Sequence, residues 1–411
     1  MDLDAIALLV DGEGWDLLAS LPPYDAAGEL ALQTRLRTAG YAPELVAAAL
    51  TQSMLRARAR DKLGAFADRM LFTPDGLEQA TRLPVAARHA SRYLRAEVRL
   101  VHDLGCGIGA DAMAFAGLDL GVQAVDADAV TAVVAAVNLR HWPDAVVTHA
   151  RAEDVVLPEG EARRHTGLWL DPARRVRGAA DITGRTRRVF SLDGMSPPWS
   201  EVLRYAAAVP ATGAKLAPGF PHQAVPDGAE AQWVSWHGDV VECAVWWGPL
   251  VTTAGRTALV LRPDAEAVTL NEADAAGARP ALERGDRGTM VGRLLYEPDR
   301  AVIRAGLTGA LAREVDGAEL SAGVGYVSSD RAVDVPWAHR YAVREALPWN
   351  VKAVRGWLRD RRVGRLTIKK RGVSLDPEAV RRQLRLSGDG EATLVLTRVA
   401  GQAYALVVDP A

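Results

Sequence analysis

From residue 98 onward, short β-branched runs alternate with stretches of helical periodicity, and this alternation commits the chain to an α/β fold. "VRLVHDLG" reads as a strand, "GADAMAFAGL" as a helix, "GVQAVDAD" as a second strand and "AVTAVVAAVNLRHW" as a second helix. "AVVTHARAEDV" and "TGLWLDPARR" add two strands, "SPPWSEVLRYAAAV" a helix and "GAKLAPG" a further strand. Strands separated by helices of about 10–15 residues require right-handed crossovers, hence a parallel sheet. Two apolar runs around His237-Gly238-Asp239 then close the series as an antiparallel hairpin.

The flanks differ in pattern. "DAAGELALQTRLRTAG" and "PELVAAALTQSMLRARARDKLGAFADRM" carry apolar residues at three- and four-residue spacing, broken by Gly40 and Pro43. After residue 262 comes Pro- and Gly-rich sequence, and beyond it "RVGRLTIKKRGV", "PEAVRRQLRL", "EATLVLTRV" and "QAYALVVDP" read as strand, helix, strand, strand. The expected organisation is a helical N-terminal domain over 1–95, an α/β domain over 96–262, a linker or excursion over 263–319 and a small α+β domain over 320–411.

The chemistry concentrates at predicted strand ends, where open α/β sheets bind ligands. Gly105, Gly107 and Gly109 follow the first strand in "DLGCGIG" and allow the backbone to approach a ligand closely. The spacing is GxGxG rather than the dinucleotide GxGxxG, and Asp103 precedes it. A carboxylate there repels pyrophosphate and suits an ammonium group. Asp126 ends the second strand, where it can accept from both hydroxyls of a ribose. Glu153 and Asp154 follow the third strand, where an adenine amine can be received. An amino-acid ammonium, a ribose and an adenine without phosphate define S-adenosyl-L-methionine.

On these motifs, residues 98 to about 250 resemble a class I S-adenosylmethionine-dependent methyltransferase. The resemblance implies a Rossmann-like, seven-stranded doubly wound sheet whose last strand is antiparallel. It also makes the fourth strand end, "LWLDPARR", the catalytic position, with Asp171 and Pro172 matching the family's acid-proline pair. Ala173 stands where N-methylating members have a second proline, and Arg174 where they have an aromatic. Arg174, Arg175, Arg177, Arg185, Arg187 and Arg188 crowd the next segment, and Arg174, Arg175, Arg187 and Arg188 are candidate phosphate contacts.

"KLGAFADRMLFTPDGLEQATRLPVAARHAS" resembles the segment ahead of the same motif in trimethylguanosine synthase-like enzymes, which implies that Phe72 and Thr73 lie against the cofactor and that Asp75 opens the helix. Residues 320–409, with "LTIKKRGV", resemble the THUMP-like domain of a bacterial group of these methyltransferases. Since THUMP domains proper contact RNA, the resemblance implies RNA as partner and Lys369, Lys370 and Arg371 as substrate-binding residues. Cap specificity is not implied, because the stacking tryptophan is missing from "DPAR".

Composition narrows the alternatives. The net charge is −2, yet residues 352–371 hold nine basic residues against Asp360 alone, so basic surface is local. Trp337, Trp349 and Trp357 interleave with basic residues in "VPWAHRYAVREALPWNVKAVRGWLRDRRVGR" as candidate base platforms, whereas Trp233, Trp236, Trp246 and Trp247 in the hairpin read as core. Cys106 and Cys243 are the only cysteines, which fits a reducing compartment; both read as apolar filler, and Cys243 sits in a strand rather than in the loop a 5-methyluridine nucleophile needs. The eight histidines show no ligand spacing, so no metal is expected. No apolar run approaches the roughly 20 residues of a membrane span, and the start is acidic, so a cytoplasmic protein is expected. Two other functions stay open at this point: a small-metabolite methyltransferase, and a non-catalytic binder of S-adenosylmethionine or RNA.

Overall fold

A computed structural model describes residues 2–174, 192, 194–283 and 291–411. Contacts divide the chain into two compact units, Met1–Leu216 with Val245–Thr252, and Ala217–Ala244 with Thr253–Ala411.

The first unit begins with α1 (Leu3–Val10), α2 (Gly12–Ser20), α3 (Glu29–Thr38) and the long α4 (Pro43–Leu63). Pro43 starts α4 at a position where its missing N–H costs nothing, and Gly64, at φ 57°, ends it. Gln52 of α4 is fully buried and clamps the extended chain ahead of the next helix: the Phe72 amide donates to its Oε1 at 3.0 Å and its Nε2 donates to the Phe72 carbonyl at 2.7 Å. Thr73 caps α5 (Pro74–Gln79), its hydroxyl accepting from the Gly76 amide at 3.0 Å, and α6 (Leu83–Arg95) leads to the sheet.

There β1 (Leu100–Leu104), α7 (Ala110–Ala116), β2 (Gly121–Asp126), α8 (Ala129–Leu139), β3 (Ala145–His149) and β4 (Thr166–Leu170) alternate as the sequence predicts. Two-residue strands β5 (Ala173–Arg174) and β6 (Met195–Ser196) pair with each other, and α9 (Trp199–Ala208) returns the chain to β7 (Ala211–Leu216). β7, β4, β1, β2 and β3 lie in that order, all parallel. The core behind them is aromatic: Trp169 stacks on Trp246 at 5.3 Å, and Tyr93 and Phe115 meet edge to face at 5.2 Å.

In the second unit, β8 (Glu230–Trp236) turns through His237 and Gly238, at φ 53° and 81°, into β9 (Asp239–Trp246). Positive φ at both central residues is what a tight hairpin needs. The expectation that this hairpin closes the strand series is corrected: β10 (Gly255–Arg262) pairs parallel to β8, and β11 (Ala265–Asn271) pairs antiparallel to β10. The series thus exceeds seven strands. The cause is Pro263-Asp264, whose turn chemistry reads as linker but which forms the two-residue loop between Arg262 and Ala265, paired partners in the register. The stretch 263–319 also carries α10 (Glu272–Ala275), β12 (Leu294–Pro298), α11 (Arg300–Arg304), α12 (Thr308–Glu314) and β13 (Ala318–Glu319).

Then follow β14 (Val327–Ser329), β15 (Ala338–Pro348), α13 (Val351–Asp360), β16 (Val363–Lys370), α14 (Pro377–Leu384), β17 (Gly390–Val399) and β18 (Gln402–Pro410), close to the predicted strand, helix, strand, strand. A seven-stranded sheet runs β13-β14-β12-β15-β18-β17-β16, with only β16 and β17 parallel. Val354, Leu358, Val380 and Leu384 of α13 and α14 cover Leu366, Leu394, Leu396 and Val407 of this sheet, and Trp349 and Trp357 pack against the same cluster. Trp337 is buried, so it too serves packing rather than an open platform.

Candidate active site

The loop from β1 to α7 turns because Gly105, Gly107 and Gly109 adopt φ of 96°, 56° and 86°. Gly105 has a second reason: a Cβ there would stand 3.0 Å from the carbonyl oxygen of Asp171, so the loop lies directly against the end of β4. The amides of Gly105 and Cys106 both donate to the Val125 carbonyl at 2.9 Å, fastening the loop to β2.

Asp103 lies inside this arrangement, 1% exposed, and among the described residues neither carboxylate oxygen has a hydrogen-bond partner. Burial, reinforced by the nearby charges of Asp111 and Asp171, pushes its pKa well above the usual carboxylate range. A buried acid with both oxygens unsatisfied fits a ligand that brings a cation. Asp126 is oriented by backbone: its Oδ2 accepts from the Gly107 amide at 3.0 Å and its Oδ1 from the Asp128 amide at 2.9 Å. Burial raises its pKa, and those two amides act against the rise. Each oxygen keeps a lone pair for a hydroxyl donor.

Asn138 of α8 binds the glycine loop to the chain ahead of α5. It accepts from the Leu71 amide at 2.8 Å and donates to the carbonyls of Leu71 at 3.0 Å and Ile108 at 2.9 Å. Gly76 presses on the same loop, where a Cβ would lie 2.4 Å from Ile108 Cγ2.

The candidate residues are placed as follows. Asp103, Gly105, Gly107, Asp126 and Asp171 converge at the ends of β1, β2 and β4. Thr73 acts as a helix cap, and Phe72 is fully buried. Glu153 and Asp154 form an exposed 3-10 turn past β3, where Glu153 meets Arg151 at 3.5 Å; among the described residues no hydrogen bond joins either to the glycine loop. Arg175, Arg187 and Arg188 lie outside the described residues, as does the side chain of Arg174. Lys369 and Arg371 in the second unit are occupied by Glu297: Lys369 Nζ lies 2.7 Å from its Oε2 and Arg371 Nη2 3.2 Å from its Oε1. Lys370 is exposed and donates to the Leu375 carbonyl at 2.9 Å.

One residue escaped the sequence reading. Lys215, on β7, places its ammonium 2.5 Å from Asp171 Oδ2 and 2.9 Å from Thr81 Oγ1. Nothing local in "GAKLAPG" marks it, because its partners are distant in sequence. Cys106 and Cys243 are buried with thiol pKa values pushed up by burial, which suits filler and not nucleophiles. Among the described residues no group of three or more His, Cys, Asp or Glu is arranged to hold a metal ion, and no helix is long and apolar enough to cross a membrane.

A parallel sheet with an acid-glycine loop after β1 and an acid at the end of β2 defines the class I methyltransferase fold. A methyltransferase from Porphyromonas gingivalis W83, provisionally so named, shares it: its crystal structure superposes with a TM-score of 0.67 at 19% identity, over 95% of this chain and 100% of that one. Two curated Mycobacterium tuberculosis proteins, the uncharacterized S-adenosylmethionine-dependent methyltransferases MT3122 (strain CDC 1551 / Oshkosh) and Rv3037c (strain ATCC 25618 / H37Rv), are each 32% identical over 375 residues, covering 89% of this chain and 95% of theirs. The chain belongs to this family of S-adenosylmethionine-dependent methyltransferases, and S-adenosyl-L-methionine is its cofactor. Residues 338–410 match the family model "THUMP domain-like", and residues 2–59 match "Domain of unknown function (DUF8688)".

Proposed function

We propose that the protein methylates a nucleotide of RNA, with Asp171 as the acceptor that orients the substrate, and that it falls in the trimethylguanosine synthase-like subgroup. The THUMP-like module carried in the same chain is the observation that supports RNA. The subgroup reading is supported by Thr73-Pro74 opening α5 and by the contact of that helix with Ile108.

In this reading Asp103 receives the ammonium of the cofactor's amino-acid end, which gives its unsatisfied oxygens their donors and its charge a partner. Asp126 accepts from the ribose hydroxyls, and Glu153 and Asp154 face the adenine amine. The cofactor supplies an electrophilic methyl group on a sulfonium. The protein's own contribution is geometric: the Asp171 carboxylate, with Pro172 fixing the turn that follows, accepts a hydrogen bond from the substrate and keeps the attacking lone pair on line. Arg174, Arg175, Arg187 and Arg188, with Lys370, are proposed phosphate contacts.

The test is incubation with isotope-labelled S-adenosylmethionine and, separately, total RNA and a metabolite extract. Label in RNA, with salt-sensitive binding, is expected. Label confined to the metabolite fraction makes the protein a small-molecule methyltransferase. An Asp171→Ala protein that transfers label as well as the native chain removes Asp171 from its role. Asp126→Ala is expected to weaken cofactor binding by about 2 kcal/mol through lost ribose hydrogen bonds, read by calorimetry. Unchanged affinity would displace Asp126 from the ribose.

A further inference from the structure

Behind Asp171 runs a chain of polar contacts that returns to the strand it started from. Lys215 Nζ of β7 meets Asp171 Oδ2 at 2.5 Å and donates to Thr81 Oγ1 at 2.9 Å. The Thr81 hydroxyl donates to Asp111 Oδ2 of α7 at 2.6 Å, and Asp111 Oδ1 lies 2.8 Å from His89 Nδ1 of α6. The His89 ring rests 4.4 Å from that of Trp169, two residues before Asp171. Thr81, His89 and Asp111 are buried, and the Lys215 side chain is 14% exposed while that of Asp171 is 32% exposed. Burial would raise the pKa of Asp111, but the hydrogen bond and charge of His89, the charge of Lys215 and the Thr81 hydrogen bond carry it below its ordinary value.

A half-buried lysine with its ammonium held from behind by a threonine has little freedom to swing. The observed geometry aims its remaining charge at one oxygen of the carboxylate at the mouth of the site. We propose that Lys215 is a positioning residue for methyl transfer: it fixes the rotamer of Asp171 and keeps that carboxylate ionised, so that it meets the substrate only as a hydrogen-bond acceptor. This rests on the reading of Asp171 as the substrate-facing group. Lys215 itself moves no proton and touches neither cofactor nor substrate. Among the described residues, the charged groups near Asp171 include Lys215 from β7 and Asp103 from β1, and Asp111 from α7 lies behind Lys215 through Thr81. The charges of Asp103 and Asp171 repel each other, and the ammonium of Lys215 offsets that repulsion.

The experiment measures the pH profile of label transfer into whichever fraction accepts it, for the native chain, Lys215→Met, Lys215→Arg and Asp171→Ala. An opposite charge within a few ångströms lowers a carboxyl pKa by roughly 1–3 units, so Lys215→Met is expected to move the acid limb of kcat upward by about one to two pH units. Lys215→Arg is expected to return the limb most of the way. S-adenosylmethionine affinity is retained in both variants. A Lys215→Met profile lowered in height with its limb unmoved overturns the proposal and leaves Lys215 a packing residue. An active Asp171→Ala protein removes the underlying reading instead, because alanine leaves no side-chain acceptor, so the two failures are distinct. A measurement that needs no acceptor is the double-mutant cycle of Lys215→Met and Asp171→Asn in chemical unfolding. The double variant is expected to lose less than the sum of the singles; strict additivity overturns the pairing.

Discussion

Asp103 is a buried carboxylate and Glu297 a half-buried one, and their surroundings are opposite. Asp103, beside the glycine loop, has no hydrogen-bond partner on either oxygen among the described residues, and burial pushes its pKa up. Glu297, on β12, has four: Lys369, Arg371, Tyr341 at 3.1 Å and Tyr326 at 3.4 Å. Burial would raise its pKa too, but the hydrogen bond and charge of Lys369, with the charge of Arg371, bring it below the ordinary value. The Arg371 guanidinium also lies over the Tyr326 ring at 4.9 Å. A carboxylate surrounded by its own donors holds a fold together. One that is buried and left unsatisfied is kept for something that arrives.

The largest expected effect tests the satisfied acid. Glu297→Ala strands two cations and two phenols at a site where the acid is 14% exposed, and should cost about 3 kcal/mol of stability in chemical unfolding. A loss near zero would make the cluster a surface ornament and free Lys369 and Arg371 for other partners. Asp103→Asn should act in the other direction: cofactor affinity falls about 10- to 100-fold, by about 1.5–3 kcal/mol for a charged hydrogen bond, while the cofactor-free protein keeps its stability or gains. A cofactor-free protein destabilised by that change would mean Asp103 has a structural partner after all.

The two acids also predict opposite pH behaviour. The folded pKa of Glu297 is depressed, so its contribution is present above the unfolded value and is lost as pH falls through the folded one. The folded pKa of Asp103 is raised, so the cofactor-free protein loses stability as pH climbs from the ordinary carboxylate range through the folded value, and Asp103→Asn should abolish that slope. Denaturation series at stepped pH on the two variants read both slopes. The smallest effect belongs to Lys370→Ala, within about 0.5 kcal/mol for an exposed side chain. A larger loss would move Lys370 into the structural group with its neighbours.

What the sequence made legible follows the range of the interactions. The glycine loop and Asp126 are written within thirty residues of one another, and the alternation of strands and helices is written in local turn chemistry and periodicity. The Asp171-Lys215-Thr81-Asp111-His89 chain joins residues up to 134 apart, and Glu297 stands 72 residues from Lys369. No local pattern reports such pairings. Basic residues in "LTIKKRG" looked like a surface for phosphate because their counter-charge lay on another strand. The Pro263-Asp264 turn misled for a related reason, since the same residues break a chain and reverse it.

The clamp made by Gln52 bears on how far the catalytic part of this protein is portable. Gln52 belongs to the stretch matching the unassigned N-terminal family, yet it satisfies the buried amide and carbonyl of Phe72, and Asn138 carries the connection on to Ile108 in the cofactor loop. A fragment trimmed at residue 60 would keep every glycine of that loop while orphaning two buried backbone groups, each worth about 1–3 kcal/mol. The N-terminal helices are therefore a wall of the enzyme itself, inherited or lost along with its cofactor site.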